Sequence, residues 1–309
     1  MIQRASQIKY LRGFCFFSAM SLLTACAVLS PVSAESEQPE IFLYIETVEP
    51  RWLPFADGVG YFHGKVSSPR LEFWALSIDL NAPNVSIVVK DGSANDEGSL
   101  STKVSSFVRE NNLIAGINAV PFDVASLAER QPINNIGVVI SDGVMLSPLN
   151  HQYDALVFYY NHQRDEEDSP KIVTAAIVSQ SSVRSTENIK NAVGGFHQIL
   201  ISGVPAQRTQ NSEARHPRSA AGVSDNGNYL YFLVIDGRRA LSEGSTERET
   251  ALLLASLGSH NGINFDGGGS SALALRFRDG NVRVVNNPVN GLLPGQERAV
   301  AGCIGISAE

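Results

Sequence analysis

The residues best equipped for chemistry lie late in the chain, in Gly262-Ile-Asn-Phe-Asp-Gly-Gly-Gly-Ser-Ser-Ala-Leu-Ala-Leu275. A short apolar run delivers Asn264 and Asp266 into a triple-glycine turn of Gly267, Gly268 and Gly269, and the hydroxyls of Ser270 and Ser271 follow. Glycine adopts backbone angles closed to other residues and brings unshielded amides close to a ligand. Such a nest of amides suits a phosphoryl or sugar oxygen, with the Asp266 carboxylate beside it. A tight strand-to-strand turn capped by the aspartate accounts for the same glycines. No Gly-Lys-Ser/Thr follows, so the turn is not a nucleotide P-loop.

Upstream, Arg215-His-Pro-Arg-Ser-Ala-Ala-Gly-Val223 sets two guanidiniums and an imidazole just before an apolar strand. The planar fork of Arg218 can pair with two phosphate oxygens at once. His216 can move protons or donate to an oxyanion. A surface loop with unrelated charges is the alternative. In Asn191-Ala-Val-Gly-Gly-Phe-His-Gln-Ile-Leu200, the pair Gly194-Gly195 enters an apolar strand, again a sign of close backbone approach, and His197 reads as a structural residue. Asp236-Gly-Arg238 and Ser242-Glu-Gly244, taken alone, are turn chemistry.

The elements that must position these groups are mostly strands. Leu71 to Asp79 alternates as a half-buried strand, Val85 to Val89 follows it, and Ile114 to Asn118 reads as a buried one. Val138 to Leu146 is a hairpin about an Asp-Gly turn. Ala155 to Tyr160 and Lys171 to Val178 are further strands, separated by a solvated acidic loop from Arg164 to Asp168. Ala220 to Ser224 and Tyr229 to Ile235 form another hairpin. Two helices are expected, a short one from Ser101 to Asn111 and one from Thr246 to Leu257. The second opens with the capping box Thr246-Glu-Arg-Glu249 and is ended by Gly258. Hairpin-linked strands without strand-helix alternation imply one α+β domain over residues 41–309, a strand-rich mixed or antiparallel twisted sheet with a few packing helices.

Composition bounds the function. The chain has 309 residues, net charge −7, and no block of Lys or Arg, which excludes nucleic acid as the main partner. The six histidines are scattered, and no His or Cys spacing typical of a metal site occurs; no cofactor is expected. At the N-terminus, Arg4, Lys9 and Arg12 precede an uncharged apolar run from Gly13 to Leu29. This is an export signal over residues 1–34, followed by a polar linker over 35–40. Cleavage after Ala34 is one reading. Another takes Leu23-Thr-Ala-Cys26 as a lipobox, which would attach the mature protein to a membrane through lipidated Cys26; an uncleaved anchor is the third. All place the remainder outside the cytoplasm, in the periplasm, outer envelope or medium. Cys303, in an apolar final strand, is then the one thiol of the mature domain and reads as a small core residue.

The order of these segments resembles the phosphodiester glycosidase family. It runs Arg-Ser-Ala-x-Gly-Val, a hairpin, a strand into Asp-Gly-Arg, a Ser-x-Gly loop, a helix with an early Glu, and Asn-x-Asp-Gly-Gly-Gly-Ser-Ser, over roughly Val104 to Ile306. One departure stands out: where the family has Asn-Gly-Gly-Phe/Tyr-Phe, this chain has Asn118-Ala-Val-Pro-Phe122-Asp123. The resemblance implies hydrolysis of the bond between an anomeric carbon and a phosphodiester, with an N-acetylglucosamine-1-phosphodiester-like substrate. It implies Arg218 on the phosphate, supported by the Gly267 to Gly269 amides and Ser270. Asp266 would face the anomeric carbon or activate water, with His216 and Asp123 as further candidates. Asn118 and Asn264 would position sugar hydroxyls, and Gly194, Gly195, Asp236 and Ser271 complete the expected substrate contacts. Glu249 also matches, although its capping role explains it. The competing reading is a non-catalytic envelope lipoprotein that uses the fold to bind glycan or a protein partner. A conventional glycosidase, which needs two opposed carboxylates, is a third.

Overall fold

The strand Arg70–Asp79 shows why this sequence makes layers. Its alternate residues point to opposite faces, and both sets are apolar: Trp74, Leu76 and Ile78 on one, Leu71, Phe73 and Ala75 on the other, all buried. Its neighbour Tyr229–Ile235 repeats the pattern, with Leu230, Phe232 and Val234 against Tyr231, Leu233 and Ile235. A strand apolar on both faces must be covered on both, so these two lie in the middle of a stack.

The structure, a computed structural model, describes residues 50–90, 99–160, 173–211, 214–290 and 295–308. These belong to one unit, Gln38–Glu309. The signal and lipobox readings, the 35–40 linker and the acidic 164–168 loop fall outside the described residues. The largest sheet runs in the order Leu53–Ala56, Val59–Ser67, Arg70–Asp79, Tyr229–Ile235, Arg218–Val223, Asn261–Asn264, His197–Ile201 and Val204–Pro205. A second sheet runs Val173–Ser179, Asp154–Tyr160, Ile189–Gly194, Val139–Ser141, Val144–Ser147. The third runs Val282–Val284, Leu273–Arg276, Ala115–Asn118, Cys303–Ala308, Val85–Val89. Ser99–Leu100 pairs with Pro132–Ile133. Every ladder between these strands is antiparallel. The α+β expectation holds, with three main sheets in place of one and no parallel ladder among the described strands.

The main core lies between one face of the large sheet and the other two, where Trp74, Phe232 and Ile263 meet Leu156, Phe158, Ile117 and Ile304. The opposite face is covered by the helix Glu247–Ser256, through Ala251, Leu253 and Leu254. Its Thr246-Glu249 capping box is present in both directions, Glu249 N–H to Thr246 Oγ1 at 3.1 Å and Thr246 N–H to Glu249 Oε2 at 2.9 Å. The earlier helix is shorter than its periodicity suggests, Val104–Glu110, and packs Val104, Phe107 and Val108 on the third sheet. Lys103 offers it no side-chain cap. Distant carboxylates take that place, Glu129 accepting from the Lys103 amide at 2.8 Å and Glu297 from that of Ser105 at 2.9 Å. Cys303 is fully buried, and burial pushes its thiol up to about 12, as fits an inert core residue.

Candidate active site

Four chain segments meet at one end of the large sheet because its strands are antiparallel. Ala220 pairs with Asn264, Arg218 with Ile235, and His197 with Asn264. The start of the 218–223 strand, the exit of the 229–235 strand, the exit of the 261–264 strand and the start of the 197–201 strand therefore share an edge. They delimit a cleft of about 310 Å³ lined by Phe196, His216, Pro217, Arg218, Arg238, Asn264, Asp266, the three glycines 267–269 and Arg298. That volume is at the small end for a small-molecule site.

The turn is locked before any ligand arrives. Asp266 donates its amide to Ala119 O at 2.9 Å, and its carbonyl accepts from Asn118 Nδ2 at 2.6 Å. Gly268 takes φ +62°, a left-handed angle that favours glycine, and donates to Pro217 O at 2.9 Å. The Gly267 amide bonds the Asp266 carboxylate. Two of the three expected ligand-facing amides are thus committed within the protein. Gly269 has a different purpose: a Cβ there would stand 2.6 Å from the Arg298 guanidinium. The glycines make room for an arginine as much as for a ligand.

Asp266 carries the carboxylate of the cleft. Burial pushes its pKa above the ordinary range, opposed by the Ser270 hydroxyl, the Arg298 charge and the Gly267 amide. A carboxylate so placed is a stronger base than one in water. Three guanidiniums line the same cleft, and of these Arg298 acts on the Asp266 charge. Arg218, almost fully buried, donates Nε to Ser245 O at 3.1 Å and Nη2 to Ala214 O at 3.3 Å, with Nη1 3.9 Å from Glu247. Arg298 is braced by Asn290 Oδ1 at 3.0 Å and reaches Ser270 Oγ at 3.3 Å. Arg238, exposed at the rim, contacts His216. Burial, then the charges of Arg218 and Arg238, hold the His216 imidazole below its usual pKa. Asn264 is buried with no partner for its Oδ1 among the described residues, so an acceptor in the cleft is left for a ligand donor.

Of the residues expected from sequence, Asp266, Arg218, His216, Asn264 and the three glycines converge here. Others do not line the cleft. Asn118 is wholly committed to structure: besides the Asp266 carbonyl, its Oδ1 accepts from Ser219 Oγ at 2.7 Å and the Ala272 amide at 3.1 Å. Asp123 is exposed and bound at both oxygens by Asn134, at 3.0 and 2.7 Å, contacts that lower its pKa. Asp236 is buried behind the cleft, tied to Arg239, to Asn286 and to the Asn287 amide at 2.9 Å. Gly194 and Gly195 link two sheets; a Cβ on Gly195 would stand 2.9 Å from Asn264 O, so the pair provides packing clearance. Ser270 supports Arg298 and Asp266, and Ser271 is fully buried. Four lining residues lack a place among the expected contacts. Pro217 lies between two expected residues, His216 and Arg218. Arg238 stands in a motif that reads as a turn, Phe196 follows the glycine pair, and Arg298 lies in a polar stretch with no local signal.

The sequence of this chain matches the phosphodiester glycosidase model over residues 111–307. Among curated proteins, a Bacillus subtilis (strain 168) protein named SPbeta prophage-derived uncharacterized protein YomE is 36% identical over 93 residues, 30% of this chain and 13% of that one. The match therefore spans about an eighth of the relative's length. Among solved structures, the zebrafish N-acetylglucosamine-1-phosphodiester alpha-N-acetylglucosaminidase catalytic domain, auto-inhibited by its pro-peptide, superposes with TM-score 0.59 at 18% identity, covering 81% of this chain and 83% of that one. A hypothetical protein from Synechocystis gives TM-score 0.58 at 15% identity, over 82% of this chain and 62% of its own. These likenesses establish a shared fold, and the match over well more than half the chain makes it a member of the phosphodiester glycosidase family.

Proposed function

We propose that this protein hydrolyses sugar-1-phosphodiesters, of which N-acetylglucosamine-1-phosphodiester is the model. The observation that carries the reading is the convergence of Arg218, Arg238, Arg298 and His216 on a cleft whose lining carboxylate is Asp266. A phosphodiester is a dispersed anion and already a good leaving group, so fixed donors matter more to it than a strong general acid. Arg218 and Arg238 hold the phosphate. Asp266 faces the anomeric carbon, as nucleophile or as the base that deprotonates water; the C1–O bond breaks, water supplies the new C1 oxygen, and a phosphomonoester leaves. Asn264 Oδ1 accepts from a sugar hydroxyl or amide, and Phe196 offers an apolar face to the ring. The configuration of the released sugar distinguishes the two roles of Asp266, retention marking a covalent intermediate.

Export belongs to the same proposal, supported by the basic residues and apolar run of the first 34 positions; mass spectrometry of the mature N-terminus would separate cleavage after Ala34 from a lipidated Cys26. The decisive assay is release of sugar from a synthetic N-acetylglucosamine-1-phosphodiester by wild-type protein and Asp266→Asn. Turnover abolished in the variant supports the reaction and the role of Asp266. Failure of the wild-type protein on a panel of sugar phosphodiesters would favour the glycan-binding reading instead.

A further inference from the structure

Arg238 stands in the loop after Ile235 with φ 56°, and its Nη2 lies 3.1 Å from Nδ1 of His216. A guanidinium has donors and no acceptor. The contact therefore needs a lone pair on Nδ1, which puts the ring proton of a neutral His216 on Nε2. We propose that Arg238, besides its place on the phosphate, positions His216 by fixing it as the neutral Nε2–H tautomer, so that His216 meets the leaving phosphate as a hydrogen-bond donor and takes no proton from the reaction. The part concerning phosphate rests on the phosphodiester glycosidase reading above; the tautomer does not.

The surroundings of the ring agree. Among the described residues, the charges that act on it are those of Arg218, from the strand that follows, and Arg238, from the neighbouring loop. Both are cationic, so a second ring proton would add a third positive charge and would point Nδ1–H at a guanidinium. Ser245 faces the same residue through its backbone alone, exchanging bonds with His216 at 3.2 and 3.0 Å. Arg238 is itself held in place. Its amide donates to Glu243 O at 3.2 Å, the Glu243 amide donates to Arg70 O at 2.8 Å, and Ser242 Oγ donates to Asp236 O at 2.7 Å. The loop is thus stitched to the Arg70–Asp79 strand, and the guanidinium reaches the imidazole from a fixed base. The consequence is a division of labour in which proton transfer falls to Asp266.

Nitrogen NMR of the full chain labelled at histidine tests the tautomer without substrate, with His216→Gln identifying the signal. The expected spectrum near neutral pH is the neutral Nε2–H form. In Arg238→Ala, an exposed position whose loss should leave the fold intact, the ring should become a tautomer mixture and titrate at higher pH. An Nδ1–H form in the wild type, or an unchanged pattern in Arg238→Ala, would overturn the proposal. A second arm uses turnover of the N-acetylglucosamine-1-phosphodiester. Glutamine can donate but is no base, so His216→Gln should retain clearly more turnover than His216→Ala, which loses about 10- to 100-fold, the range of a hydrogen bond to a charged group. Gln as impaired as Ala would remove the donor role. If the wild-type protein turned over no phosphodiester at all, the reaction reading would fall while the spectra still decided the tautomer.

Discussion

Replacing Asn118 by Ala separates a strut from a substrate contact. Asn118 is 1% exposed and ties three buried groups together: the Asp266 carbonyl at 2.6 Å, the Ser219 hydroxyl at 2.7 Å and the Ala272 amide at 3.1 Å. Asp266 and Ala272 bracket the glycine turn, while Ser219 lies on the Arg218–Val223 strand, so Asn118 ties the two ends of the turn to each other and to that strand. An unsatisfied buried group costs about 1–3 kcal/mol, and three together would reach about 3–9 kcal/mol before relaxation and water entry reduce the sum. A loss of about 3–5 kcal/mol is a large share of the roughly 5–15 kcal/mol that holds a domain. At about 2–4 °C per kcal/mol for a chain of this size, the unfolding temperature should fall by about 6–20 °C. The assay is thermal and urea unfolding beside steady-state kinetics below the transition. Asn118→Asp is the sharper companion, since it keeps both acceptor bonds and sets an oxygen against the Asp266 carbonyl. It should lower kcat through the displaced Asp266 with little change in KM. An Asn118→Ala protein that unfolds within about 2 °C of wild type but shows a raised KM would refute the strut and restore Asn118 to the substrate.

Asp266→Asn should stabilise the fold at neutral pH while abolishing turnover. The folded pKa of Asp266 is raised by burial, so the penalty for its ionised form is absent below the unfolded pKa and complete above the folded one. The stability gain, read by thermal unfolding, should therefore shrink to nothing as pH falls through the ordinary carboxylate range. For the same reason the acid limb of kcat in the wild type should lie above that range; a limb within it would take Asp266 out of the reaction. Arg218→Lys keeps the charge but loses the fork, and KM for the phosphodiester should rise about tenfold or more; unchanged KM would move the phosphate elsewhere. Thr246→Ala removes one half of the capping box and should cost about 1 kcal/mol in urea unfolding, with a cost near zero showing that Glu249, which is ion-paired with Arg215, holds the helix end unaided.

What could be read from the sequence was what is local. Asp266 and its glycines, Arg218 after His216, and the Thr246-Glu249 box are each contained in a few residues, and their geometry follows from turn and cap chemistry. The two-faced apolar strands were legible as strands, but periodicity says nothing of which sheet a strand joins, so three sheets read as one. The misplaced site residues share a cause. Asn118, Asp123 and Asp236 are polar side chains beside strand ends, and only the fold decides whether such a group faces a cleft or a backbone. Here Asn134 takes Asp123, while Asn286 and Asn287 take Asp236.

Arg298 is the extreme case of a site residue that only the fold brings into place. It sits in Gln296-Glu-Arg298-Ala, among residues with no pattern of their own, and yet it supplies the charge that opposes the effect of burial on Asp266. Its place is recorded in the sequence only indirectly, through Gly269, whose missing Cβ leaves the guanidinium its space. A triple glycine read as an amide nest is therefore in part the footprint of a cation contributed from about thirty residues further on. Gly269→Ala should then act through Arg298: displacing that guanidinium removes a charge that lowers the Asp266 pKa, and the acid limb of kcat should move to higher pH. Loss of activity in Gly269→Ala with an unmoved limb would return the glycine to direct contact with the substrate.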